Sequence, residues 1–128
     1  DFSLLRNLRS LQLLDLSYTD LSVADLQTLP RLPQLHALEL SGWRITDEYV
    51  KHLVELRLPS LKHLSLAHTD VSDAGIAELG RTYDLMYLNL YNCKRVSSEA
   101  VRAISRMEHL RNLGIGGTGL APQYLWTP

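Results

Sequence analysis

Five times in this chain a Leu-x-x-Leu-x-Leu/Ile spacing returns, starting at Leu11, Leu35, Leu61, Leu85 and Leu110, with steps of 24, 26, 24 and 25 residues. A period of this length constrains the fold more than any local propensity, because one copy is too short to bury its own apolar residues and must stack on the next. The segments are LQLLDL, LHALEL, LKHLSL, LMYLNL and LRNLGI. Their fourth and sixth residues point the same way from a strand, since strand side chains alternate with period two. Leu14 and Leu16, Leu38 and Leu40, Leu64 and Leu66, Leu88 and Leu90, and Leu113 and Ile115 therefore form one apolar face, and their neighbours point to solvent.

After each run comes a turn and a second apolar pair at helical spacing: Leu26 with Leu29, Val50 with Leu53, Ile76 with Leu79, Val101 with Ile104. Ser22, Thr46, Ser72 and either Ser97 or Ser98 stand before these pairs at the N-cap place. Asp25, Asp47 with Glu48, Asp73 and Glu99 follow them to oppose the helix dipole. The pattern predicts an α/β solenoid: about five parallel strands on the concave side and short helices on the convex side, wound as a right-handed superhelix. Residues 1–128 read as one domain. Residues 1–10, with Phe2, Leu4, Leu5 and Leu8, read as the helical end of a preceding coil or an N-terminal cap, and 119–128 as a C-terminal cap. Gly114, Gly116 and Gly117 lower strand propensity in the last run, whose edge calls for cover from Tyr124, Leu125, Trp126 or a partner.

Composition narrows the function classes. With 45% hydrophobic and 21% charged residues and a net charge of −1, the chain has an ordinary globular profile. No apolar run reaches the roughly 20 residues that span a bilayer, and the first residues lack the shape of a signal peptide. The start at Asp1 without Met reads as that of a processed or excised piece. A single cysteine, Cys93, and no Asn-x-Ser/Thr site favour an intracellular setting, the cytoplasm first and the mitochondrion or nucleus as alternatives. Net charge runs from −3 over residues 1–50 to +3 over 85–128, which is too modest, and too poor in interleaved aromatics, for a nucleic-acid surface.

The motif resembles leucine-rich repeats, in particular the cysteine-containing, ribonuclease-inhibitor-like kind. Leu61 to Leu79 matches it best, and LMYLNLYNCKRVSSEAV carries Cys in the named slot. The slot residues are Thr19, Trp43, Thr69, Cys93 and Thr118. The resemblance implies protein binding. Proteins of this type include the substrate-reading half of F-box ubiquitin-ligase adaptors and small mitochondrial factors that sit in or assemble respiratory complexes. No F-box-like segment is present in the chain.

No catalytic, cofactor-binding or metal-binding set emerges. Cys93 falls where the resemblance implies a buried residue bonding the turn, so Lys94 and Arg95 beside it do not make it a nucleophile. Of the five histidines, His63 and His68 share a strand and its end, without the further ligands zinc needs. Asp15 and Glu39 are ladder neighbours with nothing that marks them as an acid/base pair, and Gly114 to Gly119 lack the Lys of a phosphate loop. What remains is the outer face of the sheet, expected to bind another protein or complex through Asp15, Tyr18, Glu39, His63, His68, Tyr87, Asn89 and Tyr91. Trp43 is a further contact candidate: an indole does not fit a slot made for Thr or Cys, so either the turn is rebuilt and Trp43 swings outward or it packs between turns, with partial burial the favoured expectation. The reading is a non-catalytic interaction module without small-molecule substrate. A subunit docked into a larger complex through its ends is the alternative, and an F-box-type adaptor the next.

Overall fold

The five apolar runs become five strands of one parallel sheet: β1 (Leu13–Asp15), β2 (Ala37–Glu39), β3 (His63–Ser65), β4 (Tyr87–Asn89) and β5 (Asn112–Gly114), in that spatial order. The computed structural model describes residues 1–120. The register is the sequence period itself, with Leu14, Leu38, Leu64, Leu88 and Leu113 in one row across the sheet. The three central leucines of that row are fully buried. Each such side chain contributes about 1.5–3 kcal/mol before entropy is subtracted.

The helices form the opposite layer: α1 (Val23–Gln27), α2 (Asp47–Leu56), α3 (Asp73–Thr82), and a 3-10 turn, Ser98–Ala100, running into α4 (Val101–Ser105). Ser22 caps α1 in a full capping box with Asp25, and Ser97, rather than Ser98, is the cap of the last helical segment. Asp47 and Asp73 do more than oppose a dipole. Asp47 accepts from the Ser72 amide at 2.8 Å and its hydroxyl at 2.5 Å, and Asp73 accepts from the Ser97 amide at 2.8 Å and its hydroxyl at 2.6 Å. Each carboxylate thus secures the start of the next coil's helix. Gly75 leaves the space for it, since a Cβ there would collide with Asp47 Oδ1.

Residues 1–10 differ in detail from the expected helix. Ser3–Asn7 is a 3-10 turn, in which Phe2 and Leu5 pack against the core while Leu4 and Leu8 lie exposed. Tighter winding places four apolar residues on more than one side, so the pattern Phe2, Leu4, Leu5, Leu8 cannot all face inward. Tyr124, Leu125 and Trp126 lie outside the described residues. The glycines in and just after β5 have a role the sequence did not suggest. Cβ atoms at Gly114, Gly116 and Gly117 would collide with Asn89, Tyr91 and Asn92, so these glycines are a floor on which the side chains of the preceding coil lie.

On the descending side, Tyr83 ties two coils together: its hydroxyl donates to Leu53 O at 2.6 Å and accepts from Leu58 N at 3.1 Å, with the ring buried. Burial pushes its phenol pKa up. Tyr83→Phe strands a buried donor and a buried acceptor, and denaturant unfolding is expected to show a loss of about 1–3 kcal/mol. An unchanged midpoint would mean that water replaces both bonds.

Candidate functional site

The end of each strand is where backbone and side chains combine into a surface. The eighth residue of four of the five repeats has a left-handed backbone: Tyr18 (φ 56°), His68 (φ 60°), Asn92 (φ 58°) and Gly117 (φ 74°). The sharp turn keeps the inter-coil ladder going, with Tyr18 N donating to Ser41 O and His68 N to Tyr91 O at 2.8 and 2.7 Å. For Tyr18 and His68 this conformation costs roughly 1–2 kcal/mol each, and it projects their rings from the rim of the sheet. The second repeat departs: Gly42 takes φ 142°, a conformation side chains rarely adopt, and the turn bond shifts to Ile45 N and Gly42 O. This rebuilt turn swings Trp43 outward. The expected partial burial is therefore corrected, as Trp43 is 71% exposed, with the Arg44 guanidinium 5.1 Å from its ring centre. Arg44 in turn pairs with Asp20.

Of the other slot residues, Thr69 and Cys93 are buried, Thr118 is half-buried and Thr19 is exposed. Thr19, Thr69 and Thr118 donate to the carbonyl three residues back, at 2.6–2.7 Å. Cys93 donates instead to Leu66 O of the previous coil at 2.9 Å, beside Thr69 Oγ1 at 3.4 Å. Cys93 is completely buried, and that burial pushes its thiol pKa up despite the Thr69 bond. Native labelling with a thiol reagent is expected to be at least about 10³-fold slower than in denaturant, because it must await opening of the fold. Rapid native labelling would show an open path to the sulfur.

Two groups of side chains emerge from the residues singled out in the sequence. In mid-sheet, His63 lies between Glu39 and Tyr87: its Nε2 is 3.0 Å from Glu39 Oε1, and its ring stacks on Tyr87 at 3.9 Å with planes 6° apart. Ser65 and Ala67 are buried although strand alternation points them outward, Ser65 Oγ lying 3.4 Å from Ser41 Oγ of the previous coil. At the rim, His68 meets the edge of Tyr91 at 5.4 Å, and Tyr18 lies 6.4 Å from it on the other side. Tyr18, Trp43 and His68 line an open groove of about 620 Å³ together with Thr69, Asp70, Asn92 and Lys94, and Tyr91 stands beside it. Asp70, Lys94 and Asn92, bonded to His68 Nδ1 at 3.2 Å, were not among the residues chosen from the sequence. The signal that could have found them is their place three to five positions beyond the strand, at the left-handed residue or two places after it.

Asp15 and Asn89 stand apart from both groups. Each side chain accepts from the amide two residues on, Ser17 and Tyr91, at 2.9 and 3.0 Å. That amide, with the Ser17 hydroxyl, holds the Asp15 carboxyl below its usual range. Among the described residues no cluster of three or more His, Cys, Asp or Glu side chains is placed to hold a metal ion, and no helix is long and apolar enough to cross a membrane.

Comparison with known proteins fits this geometry. A family model described as "Leucine Rich repeat" matches residues 57–80. The chain is 34% identical over 65 residues to F-box/LRR-repeat protein 5 of Mus musculus and to its namesake in Bos taurus, covering 48% of this chain and 9% of each relative. Among solved structures, the tropomodulin C-terminal domain of Caenorhabditis elegans superposes with a TM-score of 0.69 at 19% identity, over 91% of this chain and 83% of that one. With five stacked strand-and-helix coils in register, the chain folds as a leucine-rich-repeat solenoid, and domains of this kind generally serve protein–protein interaction.

Proposed function

We propose that residues 1–128 act as one non-catalytic recognition domain that binds another protein inside the cell, through the concave face and the rim that follows its strands. The observation that carries this reading is the row of exposed rings on successive coils, Tyr18, Trp43, His68 and Tyr91, of which the first three line one groove and Tyr91 adjoins it through its edge contact with His68. Tyrosine and tryptophan supply large amphipathic contact area at small entropic cost, and such residues dominate binding energy where they cluster. Their exposure at the strand ends contributes little to the core, so their stabilising value is in contact with something else. The Glu39–His63–Tyr87 stack next to them offers a rigid, polar continuation of the same surface. Asp15 and Asn89 are engaged by their own turns and serve to shape it.

The test is comparative capture from the native source with quantitative mass spectrometry, using the wild-type chain and a Trp43→Ala, Tyr91→Ala variant. A partner retained by the first and lost by the second supports the reading; identical capture by both sinks it and moves attention to the ends or the helices. A second reading, the substrate-recognition part of an F-box-type adaptor, is favoured by the 65-residue match to F-box/LRR-repeat protein 5. It differs in predicting that the captured partner is ubiquitinated in cells, and that this ceases in the same variant.

A further inference from the structure

A second periodic feature lies on the side away from the aromatic rim. Four residues before the strand-start leucine of each of the last four repeats stands an arginine: Arg31, Arg57, Arg81 and Arg106. All four are exposed. They are also contiguous in space around Tyr83. Arg31 Nη2 donates to Arg57 O at 3.3 Å, both guanidinium groups act on the Tyr83 hydroxyl, and Arg81 and Arg106 line one recess of about 270 Å³ with Tyr83. Among the described residues only Arg81 has a carboxylate partner, Glu78 at 2.8 Å; Arg31, Arg57 and Arg106 have none.

A structural explanation covers part of this column. Cations at helix C-termini complement the dipole, and Arg81 and Arg106 sit at the ends of α3 and α4. The explanation fails for Arg31, four residues past the end of α1 and beyond the reach of that effect. Arg57 is at odds with it in another way. It occupies the left-handed cap of α2 at φ 50°, a place that glycine or asparagine ordinarily takes. Like charges are thus gathered side by side, at one position against backbone preference, with only Arg81 paired to a carboxylate among the described residues.

We propose that this arginine column is a second interaction surface, which takes an extended, carboxylate-rich segment of a partner protein. An extended segment sets side chains on one face about 7 Å apart, and long arginine side chains on successive coils can each meet one carboxylate, in the bidentate geometry that makes such pairs strong. A continuous polyanion fits less well. Glu78, Asp84 and Glu108 interleave with the column, Asp84 being already held by His109 at 2.8 Å, and they would repel an unbroken phosphate backbone or an anionic bilayer. The partner that satisfies the column spaces its charges to avoid those acids.

The experiment uses the 128-residue chain and a fluorophore-labelled octaglutamate peptide, read by anisotropy, with single-stranded RNA and phosphatidylserine vesicles in parallel. Octaglutamate is expected to bind at low salt and to lose roughly tenfold or more in affinity in an Arg57→Glu, Arg106→Glu variant. An Arg9→Glu, Arg102→Glu variant, of equal charge but off the column, is expected to keep its affinity. Arg57→Gly separates function from folding: it is expected to raise the melting temperature by relieving the left-handed turn, while weakening the peptide. The proposal is overturned if octaglutamate does not bind, if the two charge-reversed variants lose affinity equally, if Arg57→Gly leaves peptide affinity unchanged, or if RNA or vesicles bind through these arginines in preference to the peptide.

Discussion

Replacing Trp43 and Tyr91 together by alanine is expected to weaken partner binding by about 10²–10³-fold, the combined effect of two aromatic anchors worth about 2 kcal/mol each. The melting temperature is expected to move by only a degree or two. Trp43 is 71% exposed and Tyr91 49%, and neither belongs to the packed core. Tyr91 rests on Gly116, and Trp43 stands on a turn shaped by Gly42, so the alanines leave the coil geometry intact. A companion variant, His63→Ala, removes the centre of the Glu39–His63–Tyr87 stack. A binding loss with His63→Ala but none with the rim pair would place the contact in mid-sheet; no loss with either would remove the concave face and its rim from consideration. Isothermal titration against the captured partner gives both numbers, and a thermal melt of each variant separates contact from stability.

Leu64→Ala is expected to cost about 2–5 kcal/mol, the range for a fully buried leucine whose cavity cannot collapse. Leu64 is completely buried in the middle strand, in the ladder row between Leu38 and Leu88, with Leu66 and Ile76 equally buried in the same coil. For a chain of this length that corresponds to a fall of roughly 6–25 °C in melting temperature. The same change at Leu14 is expected to cost much less, because β1 is paired on one side only among the described residues and Leu14 is half-buried. The contrast follows from the stacked architecture, in which each coil is stabilised by its neighbours. Equal costs at Leu14 and Leu64 in denaturant unfolding would contradict it.

Much of this architecture was legible in the residues. The 24-to-26-residue spacing of Leu11, Leu35, Leu61, Leu85 and Leu110 became the strand register without a slip, because a one-residue shift would turn every leucine of that row to solvent. The helix starts at Ser22 and Ser72 were legible for a similar reason, since a cap satisfies amides only a few residues away. The choice of His63, Tyr87 and Tyr91 as outward residues followed from alternation along a strand, whereas Tyr18 and His68, at the eighth place, project because the backbone turns left-handed there. Their division into a mid-sheet stack and a rim did not follow from alternation. It depends on which way each side chain leans across a coil boundary, and the alternation rule is silent on that.

The conformation of Trp43 was equally beyond the sequence, because it hangs on one torsion: Gly42 at φ 142° where its counterparts lie near 60°. Read alone, the glycines of the last run were a weakness; in the structure they are the floor under Asn89, Tyr91 and Asn92. Asp47 and Asp73 looked like local dipole partners and proved to be links to Ser72 and Ser97 one coil away. By itself the sequence determined the repeat, the register and the apolar face, since these follow from spacing along the chain and from side-chain alternation. Only the tertiary structure decided the groove, the outward tryptophan and the spatial run of the arginine column, since those are set by contacts between coils whose residues lie some two dozen positions apart.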